Sequence, residues 1–154
     1  MSTWSEPQPD SRFVVVDGLR IHYKRAGHGP ALVLLHGSAS SLQHFDRATD
    51  LLSESFDVIR SDLPAFGLTG PRPDRDYRVP AYAATVTGFL EALGVPCYAL
   101  AGNSLGGNIA WNVALDHPER LTGLVLVNAT GYPEKTVPAG MRLTRNPLVR
   151  PLLS

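Results

Sequence analysis

"CYALAGNSLGGNIAWNVAL", residues 97–115, decides the fold. Its first part is a short apolar run ending in glycine, which suits a buried strand. Its last part is apolar with a different period and predicts a helix that stops before Pro118. Between them, Gly102-Asn103-Ser104-Leu105-Gly106 fits G-x-S-x-G, the pattern of a serine on a sharp strand-to-helix turn. The pattern alone is common; the strand before it and the helix after it give it weight. Such a turn strains the serine backbone and exposes its hydroxyl. Side chains two residues to either side would collide, so glycine is required there. The helix start aims free amides and a partial positive charge at the same point. Two phosphate-binding patterns do not fit. A P-loop needs Gly-Lys-Ser/Thr where this chain has Gly107-Asn108, and a dinucleotide loop needs glycine where Ser104 stands.

Outward from this turn, strands and helices alternate. "RFVVVDGLRIHYKRAG" is two β-rich runs around Asp17-Gly18, a hairpin signal. "ALVLLHG" (31–37) reads as a buried strand. "SSLQHFDRATDLL" sets Leu42, Phe45, Ala48, Leu51 and Leu52 at helical spacing, with serines placed to cap it. "FDVIRSDLP" (56–64) is a strand ended by proline. "VPAYAATVTGFLEALG" is a helix with Pro80 near its start and Gly94 past its end. "LTGLVLVNAT" (121–130) is a last strand, expected to be an apolar edge open to pairing with another chain. The alternation predicts an α/β fold: a mostly parallel sheet of about six strands, helices on both faces, and an antiparallel hairpin at the N-terminus. Its strand ends bring "HGSAS", "DLPAFG", "GNSLGG" and "NATGYP" to one rim, where ligands of open α/β sheets bind.

Composition narrows the function classes. The chain of 154 residues has 14 Lys plus Arg against 14 Asp plus Glu, so no basic footprint for nucleic acid is present. No apolar run is long enough to span a membrane, and the N-terminus lacks a secretory pattern. A single cysteine, Cys97, excludes an internal disulfide; it is read as a small buried hydrophobe in a reducing, cytoplasmic setting. No metal motif or cofactor signature is found. Residues 1–11 read as a mobile polar arm, 12–131 as the core, and 132–154, with four prolines, as a separate segment.

His36-Gly37 closes the buried strand, and the turn after it should present amides toward Ser104. An oxyanion hole takes one amide from the residue after the nucleophile, here Leu105, and one from this loop, with Ser38 favoured and Ala39 as the alternative. His36 is read as orienting the loop rather than as a base. Asp62 is read as a loop-holding carboxylate.

With these residues in view, "LVLLHGSASS", "SDLPAFGLTGP" and "LAGNSLGGNIAWNVALDHPERLTGLVLVNATGYP" together resemble the α/β-hydrolase superfamily. The likeness is to its capped serine hydrolases: esterases and carbon–carbon bond hydrolases. It covers roughly residues 12 to 133, with one departure, Ala65 where the family usually has glycine. The resemblance implies Ser104 as nucleophile, Leu105 and Ser38 as oxyanion donors, and His36, Gly37, Gly102, Asn103 and Gly106 as residues shaping the site. It implies a small ester-like or aromatic substrate. Serine at the elbow argues against epoxide-hydrolase and dehalogenase chemistry, which use aspartate there.

The family's acid and histidine follow the serine along the chain. After Ser104 the only histidine is His117, on the order of 18 Å away at the other end of the helix, where it reads as part of a helix stop. The resemblance thus implies a chain truncated before the cap and the last strands, with 132–154 the start of the cap. Two classes stay open: a serine hydrolase incomplete as it stands, and a non-catalytic remnant that binds a ligand or a partner.

Overall fold

The computed structural model describes residues 6–131. The segment expected to begin a cap, 132–154, lies outside the described residues, as do the first five residues of the arm.

The hairpin forms as its turn requires. β1 (Arg12–Val16) pairs antiparallel with β2 (Leu19–Ala26), and Asp17 and Gly18 between them have φ of 50° and 77°. Positive φ at both central positions is the turn whose twist matches paired strands. β3 (Ala31–Leu35), β4 (Asp57–Ser61), β5 (Tyr98–Asn103) and β6 (Leu121–Val127) run parallel to one another. The sheet order is β1-β2-β4-β3-β5-β6, with β2 antiparallel to β4.

β3 is the central strand, and its alternation divides the core. Val33 and Leu35 face α2 (Val79–Ala92) and α3 (Leu105–Asp116), packing with Ile59, Phe89, Leu100, Ile109 and Val113. Leu32 and Leu34 face the other way with Val58, where Phe45 and Leu52 cover them from the segment around α1 (Asp46–Leu52). Helices therefore lie on both faces, as the continuous apolar run of β3 requires.

The chain leaves β3 toward β4 on one side and returns to β5 on the other. The point where the strand order reverses lies between the ends of β3 and β5, the place where open α/β sheets form a ligand crevice.

Three local expectations change. Leu51 is 74% exposed rather than packed, because the segment opens with a 3₁₀ turn over Leu42–Phe45. Three residues per turn, followed by 3.6, rotates the later positions away from the sheet. Ser41 stands at the N-cap but makes no capping hydrogen bond; Asp62, 20 residues on, takes the Leu42 amide at 2.8 Å instead. Cys97 is exposed, because it sits at a bend one residue ahead of β5 and not inside the strand. At the end of the arm, Ser11 N donates to Gln8 O at 2.9 Å, and Lys24 pairs with Asp10 at 2.7 Å.

Candidate active site

Ser104 stands between β5 and α3 with φ 53° and ψ −112°, a strained conformation for a residue with a side chain. The flanking glycines are steric necessities. A Cβ on Gly102 would lie 2.3 Å from Gly106 O, and one on Gly106 would lie 2.1 Å from Leu35 O. The backbone of Ser104 is fixed from three sides. Its amide donates to Val127 O at 3.0 Å, and its carbonyl accepts from Asn108 N at 3.0 Å and Thr130 N at 3.2 Å. Trp111 Nε1 donates to Thr130 O at 3.1 Å, which ties the strand-end loop to α3.

The loop after β3 lies against this turn. A Cβ on Gly37 would lie 3.2 Å from Ser104 Cβ and 3.4 Å from Asn103 Nδ2, so glycine permits the approach. Gly37 thus packs beside Ser104 at the reversal point, Ser38 follows it in the loop, and Leu105 opens α3 directly after Ser104. Ala39, in the same loop, has φ 54°.

His36 is fully buried, and both its ring nitrogens are taken. Nε2 accepts from Leu63 N at 2.9 Å, which leaves the proton on Nδ1 to donate to Gly37 O at 2.7 Å. Burial lowers its pKa, partly offset by the Gly37 hydrogen bond and by Asp62, so the ring is neutral at pH 7. It holds the β3 loop to the β4 loop, and neither nitrogen is left to take a proton from Ser104. Asp62 continues the same fastening. Oδ1 accepts from Leu42 N at 2.8 Å; Oδ2 accepts from Leu68 N at 2.8 Å and from His22 Nδ1 at 2.7 Å. Burial pushes its pKa up, but these hydrogen bonds outweigh burial and leave the carboxyl below its ordinary range.

The structure thus brings together Ser104, Gly102, Asn103, Leu105, Gly106, His36, Gly37 and Ser38 at one rim. It brings no base. Among the described residues no histidine ring hydrogen-bonds Ser104: His22 and His36 are engaged elsewhere, and His117 caps the far end of α3 beside Glu119. The residue that sequence reasoning passed over is His22, fully buried between Asp62 and Ser11. Its only signal was a polar residue inside a hairpin strand.

The family model for the alpha/beta hydrolase fold matches residues 30–153. The chain belongs to the α/β-hydrolase family. Within it, the chain is 42% identical over 139 residues to a 2-hydroxy-6-oxononadienedioate/2-hydroxy-6-oxononatrienedioate hydrolase of Burkholderia vietnamiensis, covering 81% of this chain and 46% of that protein. Among solved structures, a bacterial membrane phospholipase A superposes with TM-score 0.81 at 32% identity, covering 93% of this chain and 50% of that one. A meta-cleavage product hydrolase of Pseudomonas fluorescens IP01 gives TM-score 0.77 at 26% identity, covering 82% and 48%. By name these relatives are two hydrolases and a phospholipase. The chain spans about half the length of the curated relatives it matches.

Proposed function

We propose that the chain carries the nucleophile half of a serine hydrolase acting on a small ester or a related acyl or aromatic substrate. The observation that carries this reading is the strained, glycine-framed Ser104 at the reversal point, with Gly37 of the facing loop packed against it. Ser104 Oγ attacks the substrate carbonyl. The Leu105 and Ser38 amides receive the developing negative charge, with Ala39 as the alternative donor. His36, Gly37, Gly102, Asn103 and Gly106 shape the turn and loop. Loss of one such donor typically costs about 10²–10³-fold in rate, so loop position matters as much as the serine.

Proton transfer from Ser104 calls for a base that the described residues do not supply. An unassisted serine is a weak nucleophile at neutral pH, so this chain alone is a poor catalyst in our reading. Similarity to the Burkholderia vietnamiensis protein favours a carbon–carbon bond substrate, and similarity to the phospholipase favours an ester. No helix among the described residues is long and apolar enough to cross a membrane, and a cytoplasmic setting is part of the reading. So is self-association through β6, where Leu124, Val125 and Val127 are exposed on an edge strand. A non-catalytic ligand-binding remnant is the second reading, favoured by the absence of a base beside Ser104 among the described residues.

The test is acylation by p-nitrophenyl acetate with free imidazole supplied as the missing base, followed by peptide mapping. Imidazole-dependent acetylation of Ser104, lost in Ser104→Ala, supports the hydrolase reading. A Ser104 left unmodified across the imidazole range favours the binding reading.

A further inference from the structure

Ser104 lacks a base among the described residues, but a different serine has one. Ser11, at the end of the N-terminal arm, places Oγ 2.8 Å from His22 Nε2. The other ring nitrogen of His22 is 2.7 Å from Asp62 Oδ2. His22 and Asp62 are buried, and Ser11 is partly exposed, so the series runs from the interior to the surface.

With the His22 ring neutral, the hydrogen-bond polarity is that of an activated hydroxyl. An ionised Asp62 only accepts, so Nδ1 of His22 must donate to it. In the neutral ring Nε2 is then an acceptor, and the hydroxyl of Ser11 donates into it. Gln8 N donates to Ser11 Oγ at 2.9 Å, which holds the oxygen in place without taking its proton. Asp62 is itself pinned by the Leu42 and Leu68 amides, so the imidazole cannot swing away from Ser11. Lys24 brings a cation to the same turn, bonded to Gln8 Oε1 and 2.7 Å from Asp10 Oδ1. Nucleophile, base and orienting carboxylate are all within bonding distance, the arrangement that defines a reactive serine by geometry and not by sequence position.

We propose that Ser11, His22 and Asp62 form a second reactive-serine array, open at the surface to activated acyl esters and fluorophosphonates and independent of the reading given to Ser104. With an activated ester, Ser11 Oγ bonds to the acyl carbon as its proton passes to His22 Nε2. The acyl–oxygen bond then breaks, and the departing alkoxide takes that proton. With a fluorophosphonate the phosphorus–oxygen bond forms, fluoride leaves, and the proton on His22 is lost to water. Either way Ser11 ends as a stable ester and His22 returns neutral.

The test treats the unaltered chain with diisopropyl fluorophosphate across pH 5–9 and maps adducts by peptide mass spectrometry. A positioned base is worth roughly 10²–10⁴-fold, so Ser11 should be modified ahead of every other described serine. His22→Gln should lower the Ser11 rate by at least about tenfold. Absence of an adduct on Ser11 overturns the proposal. So does a Ser11 adduct that forms no faster than adducts on the other described serines, which would mean no base takes part. That comparison needs no variant, so a His22→Gln chain that fails to fold leaves the proposal open to refutation.

Discussion

The turn from Asp62 to Gly70 contains two left-handed residues whose chemistry is reversed relative to each other. Ala65 has φ 67° and Gly67 has φ 53°. Ala65 occupies the position where resembling hydrolases carry glycine, and its backbone needs the conformation that glycine adopts freely. An L-residue there costs roughly 1–2 kcal/mol. Ala65→Gly removes that strain but loosens the unfolded chain, which takes back about 0.4–1 kcal/mol. The net expectation is a stabilisation of about 0.5–1 kcal/mol, or roughly 1–4 °C in melting temperature. Gly67→Ala should behave in the opposite way. Its new Cβ would lie 2.1 Å from Asp62 Oδ2 and 2.5 Å from Oδ1. Asp62 cannot yield without releasing Leu42 N, Leu68 N and His22. A displaced buried carboxylate with broken hydrogen bonds costs upward of about 3 kcal/mol. Urea unfolding of both variants, read as a shift in midpoint at constant slope, measures the pair. A destabilised Ala65→Gly, or a Gly67→Ala within about 0.5 kcal/mol of the parent, would refute the account of this loop.

Other consequences are as direct. Gly106→Ala would force its Cβ into Leu35 O and His36 O, so it should destabilise by more than about 2 kcal/mol in thermal melts. Asp62 has a depressed folded pKa, so its contribution is fully present above the unfolded value of about 3.9 and is lost as pH falls through the lower folded value. The acid limb of the stability–pH curve should therefore be shallower in Asp62→Asn, at lower stability near neutrality; an unchanged limb would remove Asp62 from that role. β6, the edge of the sheet among the described residues, should make the chain associate with concentration in light scattering. Val125→Lys, a charge on an exposed edge position, should reduce it.

What could be read from the sequence was local. Asp17-Gly18 dictates its own turn, and Gly102 and Gly106 announce a backbone crossing within five residues. The alternation of strands and helices is equally local, and it yields the sheet and the rim. What escaped was of two kinds. A switch of helical period inside 42–52 turned Leu51 outward, and no composition signal marks where a 3₁₀ turn gives way to an α-helix. The His22 network joins residues 11 positions apart through the β1–β2 hairpin and 40 positions apart through the antiparallel pairing of β2 with β4. Only the strand register reveals that Asp62 reaches the hairpin. Asp62 likewise displaced Ser41 as the cap of the 42–45 turn from a distance of 20 residues.

The central claim is that the turn at residue 104 presents its side chain to the free amides at the start of α3 and to the Gly37–Ser38 loop. The thiol pKa of Ser104→Cys, taken from the pH dependence of iodoacetamide alkylation, reads that field directly, with exposed Cys97 as reference in the same chain. The expected result is a thiolate stabilised to roughly pH 7.5 or below, against about 8.5 for an unperturbed thiol, and alkylated ahead of Cys97 at pH 7. An introduced thiol that titrates at or above the reference, or reacts more slowly than Cys97 at pH 7, would contradict it.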